Sequence, residues 1–164
     1  MSPIRAAVPS DIPEILRLIV ELAVYEKEPD AVVTTEDSLR AALFGENPMV
    51  FAIVVDGEAD AEGSPTLAGM ALWYLTFSTW EGVHGIHLED LYVRPGYRGS
   101  GHGKALLLRL AEICVERGYK RLEWAVLDWN EPAIGFYRSI GAVSMDGWST
   151  FRLDGDALAR AEAH

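Results

Sequence analysis

The chain reads as an α+β protein, a mixed and mostly antiparallel sheet with helices on both faces, and three observations predict it. Residues 50–55, 66–77 and 86–93 have strand composition and are separated by glycine-bearing turns, so they form three antiparallel strands in series. The segment 101–117 then switches to helical spacing, with Leu106, Leu107, Leu110, Ala111 and Cys114 on one face, ahead of an apolar run at 122–127. No repeat or low-complexity tract interrupts the 164 residues, a length that suits one domain, 1–164, with a core of its own.

Taken in order, residues 4–8 predict a first strand, and Ser10 is the expected cap of a helix whose apolar positions Ile12, Ile15, Leu16, Ile19, Leu22 and Ala23 recur at helical spacing. A second helix starts near Thr35, runs through Leu39 and Leu43 and stops by Gly45, with an exposed anionic link at 26–30 before it. Residues 56–65 are polar and glycine-bearing, which makes the flanking strands a hairpin. Glu81-Gly82 and His84-Gly85 are turn signals that lead into the strand at 86–93, and Gly118 ends the long helix. Asn130 caps a short helix through Ser139, Pro132 sits in its first turn, and Gly141 closes it. Residues 148–153 predict a last strand.

Composition narrows the function classes. Hydrophobic residues make up 49% and charged residues 24%, as in globular proteins, and no stretch has the roughly 18 consecutive apolar residues of a membrane span. The N-terminal residues lack the apolar core of a secretory signal, so a cytoplasmic location without membrane attachment is expected. A formal charge of −11 disfavours nucleic acid and favours a cationic partner by long-range steering. Cys114 is the only cysteine and lies in an apolar helix, which suits a buried thiol better than a nucleophile and rules out an internal disulfide. His84 and His87 stand three apart near a turn, and His87 shares a strand face with Glu89, but no third ligand follows at a recognisable spacing; no metal is expected. Trp73, Tyr74, Phe77 and Trp80 suit a core and a dimer surface better than a ligand cage.

The segment 88–110 carries most of the chemistry: a strand, a proline-bearing turn, a glycine-rich loop and an amphipathic helix. Gly99, Gly101 and Gly103 let backbone amides approach a diphosphate at a helix N-terminus, and Arg98 and Lys104 add positive charge. A flexible loop would account for the glycines alone equally well. A Walker A loop ending at Gly103-Lys104 needs glycine where Arg98 stands and Ser or Thr where Ala105 stands; a dinucleotide fingerprint fails at Lys104 or Leu106.

Arg98-Gly99-Ser100-Gly101-His102-Gly103 instead resembles the cofactor loop of the GNAT N-acetyltransferase family. From about residue 22 to 151 the chain is similar to its diamine (spermidine/spermine) branch, through Tyr25-Glu26, Phe44-Gly45, Leu88-Glu89-Asp90, Tyr97-Arg98-Gly99, Trp129-Asn130-Glu131-Pro132, Phe136-Tyr137, Gly141-Ala142 and Gly147-Trp148. Residues 125–130 with the turn Ser78-Thr79-Trp80 look closest to the thialysine-acetylating members. The resemblance implies the acyl-CoA N-acyltransferase fold, with a splayed sheet holding acetyl-CoA between two diverging strands, 86–93 and 122–127.

Carried over residue by residue, it places the backbone of Leu91, Tyr92 and Val93 along the pantetheine arm. The pyrophosphate falls to Arg98, Gly99, Ser100, Gly101, His102, Gly103 and Lys104, and the other flank to Asn130, Glu131, Pro132, Ala133 and Tyr137. Tyr137 is the implied general acid for the thiolate. Glu89 is the implied base or substrate ligand, although a sheet-edge or dimer salt bridge would also explain it. Glu89 and Asp90 face opposite sides of an otherwise apolar strand, so one carboxylate must point inward. Tyr25, Glu26, Glu123, Trp124, Ala125 and Asp146 fall where family members line the amine channel. Two departures bear on the substrate: Thr79 stands where diamine-acetylating members carry aspartate, and the stretch between Gly141 and Trp148 is shorter, which unsettles Asp146. The implied reaction is direct acetyl transfer to a primary amine of a small cation, thialysine- or lysine-like or a di- or polyamine, by a homodimer. A protein amine, another small amine and a non-catalytic acyl-CoA-binding module remain the alternatives.

Overall fold

The computed structural model describes residues 3–161. They fall into two compact units, one within Met1–Ala125 and one within Val126–His164. The first holds a five-stranded sheet, β1 (Ile4–Ala6), β2 (Val50–Asp56), β3 (Leu67–Ser78), β4 (Val83–Val93) and β5 (Leu122–Glu123), in the spatial order of the sequence. The first three pairings are antiparallel and β4·β5 is parallel, so the sheet is mixed and mostly antiparallel as predicted. Only the parallel step needs a crossover, which the helix α3 (His102–Arg117) supplies.

Helices cover both faces. On one, Ile12, Ile15 and Leu18 of α1 (Ile12–Tyr25) and Leu39 and Leu43 of α2 (Glu36–Phe44) close over Val54, Leu67, Met70 and Tyr92. Trp73 lies three residues from Met70 on β3 and therefore on the opposite face, where the Arg117 guanidinium of α3 sits 5.8 Å above its ring. Leu106, Leu107 and Leu110 of α3 are fully buried there.

Several local expectations change. Ser10 does not cap α1: it lies inside a 3₁₀ turn, Pro9–Asp11, and Asp11 takes the cap position. The Asp11 carboxylate accepts from the Val8 amide at 2.8 Å and from the Arg5 guanidinium, which leaves Ser10 outside the turn's bonding. Leu18 joins the buried stripe of α1, and Glu14 is buried beside it because it accepts from Arg94 at 2.8 Å and from the Leu67 amide at 3.0 Å. Burial alone would push the Glu14 carboxyl up, but these bonds outweigh it and hold the group below the usual carboxylate range. Thr35 caps α2 as expected, its hydroxyl accepting from the Ser38 amide.

The run at 122–127 yields only the two residues of β5. Glu89 explains why. Leu72 pairs with Asp90 while Trp73 pairs with Leu88, so Glu89 is the extra residue of a β-bulge. A bulge bends its strand and raises the local twist, and the β4·β5 ladder, Ile86 to Leu122 and His87 to Glu123, ends just before it.

The second unit contains α4 (Glu131–Ser139) and α5 (Gly155–Ala161). The strand expected at 148–153 does not form: Trp148, Phe151 and Leu153 are exposed, and β-branched or aromatic composition makes a strand only where an edge is there to pair with. Helix α5 was not anticipated, although Asp154 ahead of an alanine-rich segment was a usable signal; its carbonyl accepts from the Leu158 amide.

Candidate functional site

Two features of the first unit converge at the end of β4. The first is an opened strand edge. The Ile86 amide donates toward β5, to the Arg121 carbonyl, and the Arg94 amide donates toward β3, to the Ala68 carbonyl. Alternation counted back from Arg94 directs the Leu91 and Val93 amides away from β3, onto an edge where no strand among the described residues pairs beyond His87. An extended ligand has a hydrogen-bonding row there. Tyr92 offers that edge nothing: the same alternation turns its backbone groups toward β3, where it pairs with Met70, and its ring is buried in the core under α1.

The second feature is the loop between β4 and α3. Arg94 anchors its start by a fork onto Glu21 and a bond to Glu14, tying the strand end to α1. Gly99 and Gly101 take φ of 82° and 85°, left-handed values that disfavour a side chain, and a Cβ at either would meet no atom within 4 Å. The ring of bonds in α3 begins with the Ala105 amide to the Gly101 carbonyl at 2.9 Å. The amides of His102, Gly103 and Lys104 precede that bond, so they are the donors a helix start leaves for a ligand. This open, amide-lined turn fits a diphosphate.

The side chains of the loop divide their duties. Arg98 is partly spent on structure: its Nε donates to the Val93 carbonyl at 2.9 Å, and its guanidinium stacks on Tyr25 at 5.3 Å and Tyr92 at 5.5 Å. Ser100 donates to the Tyr97 carbonyl. The His102 side chain is buried, with Nδ1 lacking a partner among the described residues, and Lys104 is exposed in the first turn.

Beside the loop lies a cluster of carboxylates. Lys27, with φ 66°, ends α1 in a left-handed turn in which the Glu28 amide donates to the Ala23 carbonyl, and this fixes where Tyr25 and Glu26 project. Glu26 lies close enough to Glu89 and Asp90 for their charges to act on one another. Burial, with repulsion from Glu89 and Glu26, pushes the Asp90 carboxyl up to about 6. Burial and Glu89 likewise raise Glu26, and burial and Glu89 raise the Tyr74 phenol. Like charges held together in this way favour a cation among them. Of the two adjacent carboxylates on β4, the inward one is Asp90; Glu89 is exposed on the bulge. Asp90 was missing from the expected site, although the paired carboxylates on an apolar strand were its signal.

Elsewhere, Glu123 is exposed at the end of β5, and Trp124 and Ala125 follow it without strand pairing. Cys114 is buried, its thiol directed at the Arg121 carbonyl at 3.7 Å, and burial pushes the thiol up, both unsuited to a nucleophile. No group of three or more His, Cys, Asp or Glu among the described residues could hold a metal ion. Trp73 is in the core, while Phe77 and Trp80 are exposed. No helix among the described residues is long and apolar enough to cross a membrane.

In the second unit, the Asn130 side chain accepts from the Ala133 amide at 3.4 Å and caps α4 as expected, with Glu131 and Pro132 in the first turn. Tyr137 is half-buried on α4, its ring 5.6 Å from that of Phe136. Asp146 is exposed and accepts from the Ser144 hydroxyl at 2.6 Å.

Comparison with known proteins bears on this geometry. Residues 13–142 match the model of the acetyltransferase (GNAT) family. The chain is 42% identical over 161 residues to a thialysine N-epsilon-acetyltransferase of Bos taurus, covering 94% of each chain. It is 31% identical to the L-ornithine N5-acetyltransferase NATA1 of Arabidopsis thaliana, over 96% of this chain and 86% of the relative. Among solved structures, the V. cholerae integron cassette protein VCH_CASS6 superposes with a TM-score of 0.78 at 25% identity, over 100% of this chain and 99% of the other.

Proposed function

The chain belongs to the GNAT acetyltransferase family and is an N-acetyltransferase, and from this premise we propose that it moves an acetyl group from acetyl-CoA to a primary amine of a small cation. The observation that carries the reading is the carboxylate cluster of Glu26, Glu89 and Asp90 beside an amide-lined loop and an opened strand edge. The thialysine and ornithine enzymes it resembles support a small amine, lysine-like or a di- or polyamine, over a protein amine or a non-catalytic acyl-CoA-binding role. Thr79 in place of a carboxylate supports the amino-acid end of that range.

Acetyl-CoA supplies a thioester activated toward an amine nucleophile. The Leu91 and Val93 amides would bond the pantetheine arm, and the amides of His102, Gly103 and Lys104 the pyrophosphate. Glu26, Glu89 and Asp90, with Tyr25 and Tyr74 as walls, would hold the ammonium. An amine of pKa about 10 is protonated at neutral pH and must lose a proton before its lone pair can attack. Glu89 is the group proposed to accept that proton. Tyr137, on α4, is the proposed general acid for the departing thiolate, with Asn130 to Ala133 as the cofactor's second flank. A buried, raised Cys114 thiol supports direct transfer without an acyl-enzyme. We take the whole chain as one cytoplasmic transferase domain acting as a homodimer, for which the exposed Phe77 and Trp80 offer apolar surface.

The test is thiol release from acetyl-CoA with thialysine, lysine, ornithine, spermidine, putrescine and a histone-tail peptide. Turnover is expected with the small amines; tight cofactor binding without turnover of any would support the binding module instead. Tyr137→Phe should lower kcat about 10-fold or more while coenzyme A affinity stays within about twofold, and equal kcat would remove Tyr137 from the acid role.

A further inference from the structure

Resting on that reading, we propose that His87 is a proton-relay residue, acting through Glu89 to carry the substrate's proton from the amine to water. Its placement makes the case. His87 lies two residues before the proposed base, and its Nε2 is 3.6 Å from Glu89 Oε2, within ion-pair reach and a small adjustment from a hydrogen bond. His87 and Glu89 stand two apart on β4, so ordinary strand alternation sets them on one face, and the bulge takes Glu89 out of the β3 register and leaves it exposed beside the ring.

The imidazole is also held in place. Its ring stacks on Tyr74, the register partner on β3, with centroids 4.9 Å apart and planes 26° apart. On the other side its register partner is Glu123 on β5. The titratable groups that face it are therefore Glu89 on its own strand, Tyr74 on β3 and Glu123 on β5, with Glu26 and Asp90 beyond Glu89. All but the phenol are carboxylates, whose oxygens can accept from the ring N–H groups. The side chain is 27% exposed, so the ring reaches both the cluster and water.

The chemistry needs such a group. Glu89 must return to the carboxylate before it can serve another amine, and a neighbouring imidazole, able to take a proton on one ring nitrogen and release one from the other, gives that proton a way out to water. In the step, the ammonium N–H bond breaks as its proton passes to Glu89, leaving a neutral amine with a free lone pair. The new O–H bond breaks as the proton passes to His87 Nε2, and Glu89 returns to the carboxylate. The imidazolium then gives one ring proton to water, so charge and atoms balance with no further reactant. His87 must start neutral, with Nε2 unprotonated.

The test compares kcat and kcat/KM of the wild-type chain, His87→Phe and His87→Gln across about pH 5.5 to 9, using the best amine of the panel. Phe keeps a ring on Tyr74 and removes the relay; Gln keeps a polar contact and cannot titrate. Both variants should lose about 10- to 100-fold in kcat with KM for acetyl-CoA within about twofold, and the shape of their pH profiles should depart from that of the wild type. Added imidazole should restore part of the loss in His87→Phe. Wild-type kcat and pH profile in either folded variant would overturn the relay. A second measurement needs no variant of His87: NMR of its ring nitrogens in the wild type and in Glu89→Gln, where loss of the carboxylate 3.6 Å away should move the Nε2 chemical shift. An unchanged Nε2 shift would overturn the coupling. Amine turnover that ignores both His87 variants sinks the relay alone, whereas no turnover of any amine by the wild type sinks the transferase reading on which it rests.

Discussion

Asp90 is the residue under greatest electrostatic stress. Its carboxyl is pushed up to about 6 by burial and by Glu89 and Glu26, above the ordinary aspartate value. A raised carboxyl means that the folded chain binds its proton more tightly than the unfolded chain. Stability therefore falls as pH rises from about 4 to 6 and stays reduced above that window. Asp90→Asn should raise Tm at pH 7 to 8, with the gain vanishing below about pH 4, and it should weaken amine binding, the usual cost when a strained functional group is relieved. Equal melting of the two proteins at pH 8 would contradict the assignment. The residue scale is also where sequence reading reached least far. The paired Glu89-Asp90 was visible, but which one turned inward depended on a bulge, and a bulge is set by register with another strand. The Arg94 fork onto Glu14 and Glu21 joins residues 73 to 80 apart in the chain, and no local spacing announces such a pair. Lys27 in a left-handed turn had no glycine to mark it.

At the scale of elements, helices and long strands were legible because their periodicities are local. Thr35 at the start of α2 and Asn130 at the start of α4 stand where their side-chain chemistry predicts, and α3 begins within one residue of the expected position. The misses, Ser10, the shortened β5 and the strand at 148–153, occur where a tertiary partner decides: Asp11 has Arg5, β5 has lost its neighbour to the bulge, and residues 148–153 have no edge. The loop before α3 makes the sharpest prediction at this scale. Gly101 caps the helix with φ 85°, so Gly101→Val must either strain the backbone or reshape the turn that presents the three amides. Coenzyme A affinity measured by calorimetry should drop about 10-fold or more, with the panel's amine KM changing little. Unchanged affinity would count against the amide cradle.

For the molecule as a whole, the formal charge of −11 bears on the proposed reaction. A cationic substrate is steered by such a field and an anionic cofactor is repelled. Raising ionic strength from about 0.01 M to about 1 M shrinks the screening length from about 30 Å to about 3 Å. The value of kcat/KM for the amine should then fall, by about 10-fold, while that for acetyl-CoA holds or rises. A rise for both would show that the global field plays no part and that the carboxylate cluster acts only at contact range.

The bared edge of β4 carries a hazard that the same carboxylates answer. A row of strand amides and carbonyls with which no strand among the described residues pairs past His87 is a template on which an extended peptide, including another copy of this chain, could add itself and start an aggregate. The bulge twists that edge out of flatness, and Glu89 and Asp90 set anionic gatekeepers on it, so an incoming strand of this acidic protein meets repulsion where a protonated amine meets attraction. Protection of the edge and the proposed hold on the amine thus fall to the same two side chains.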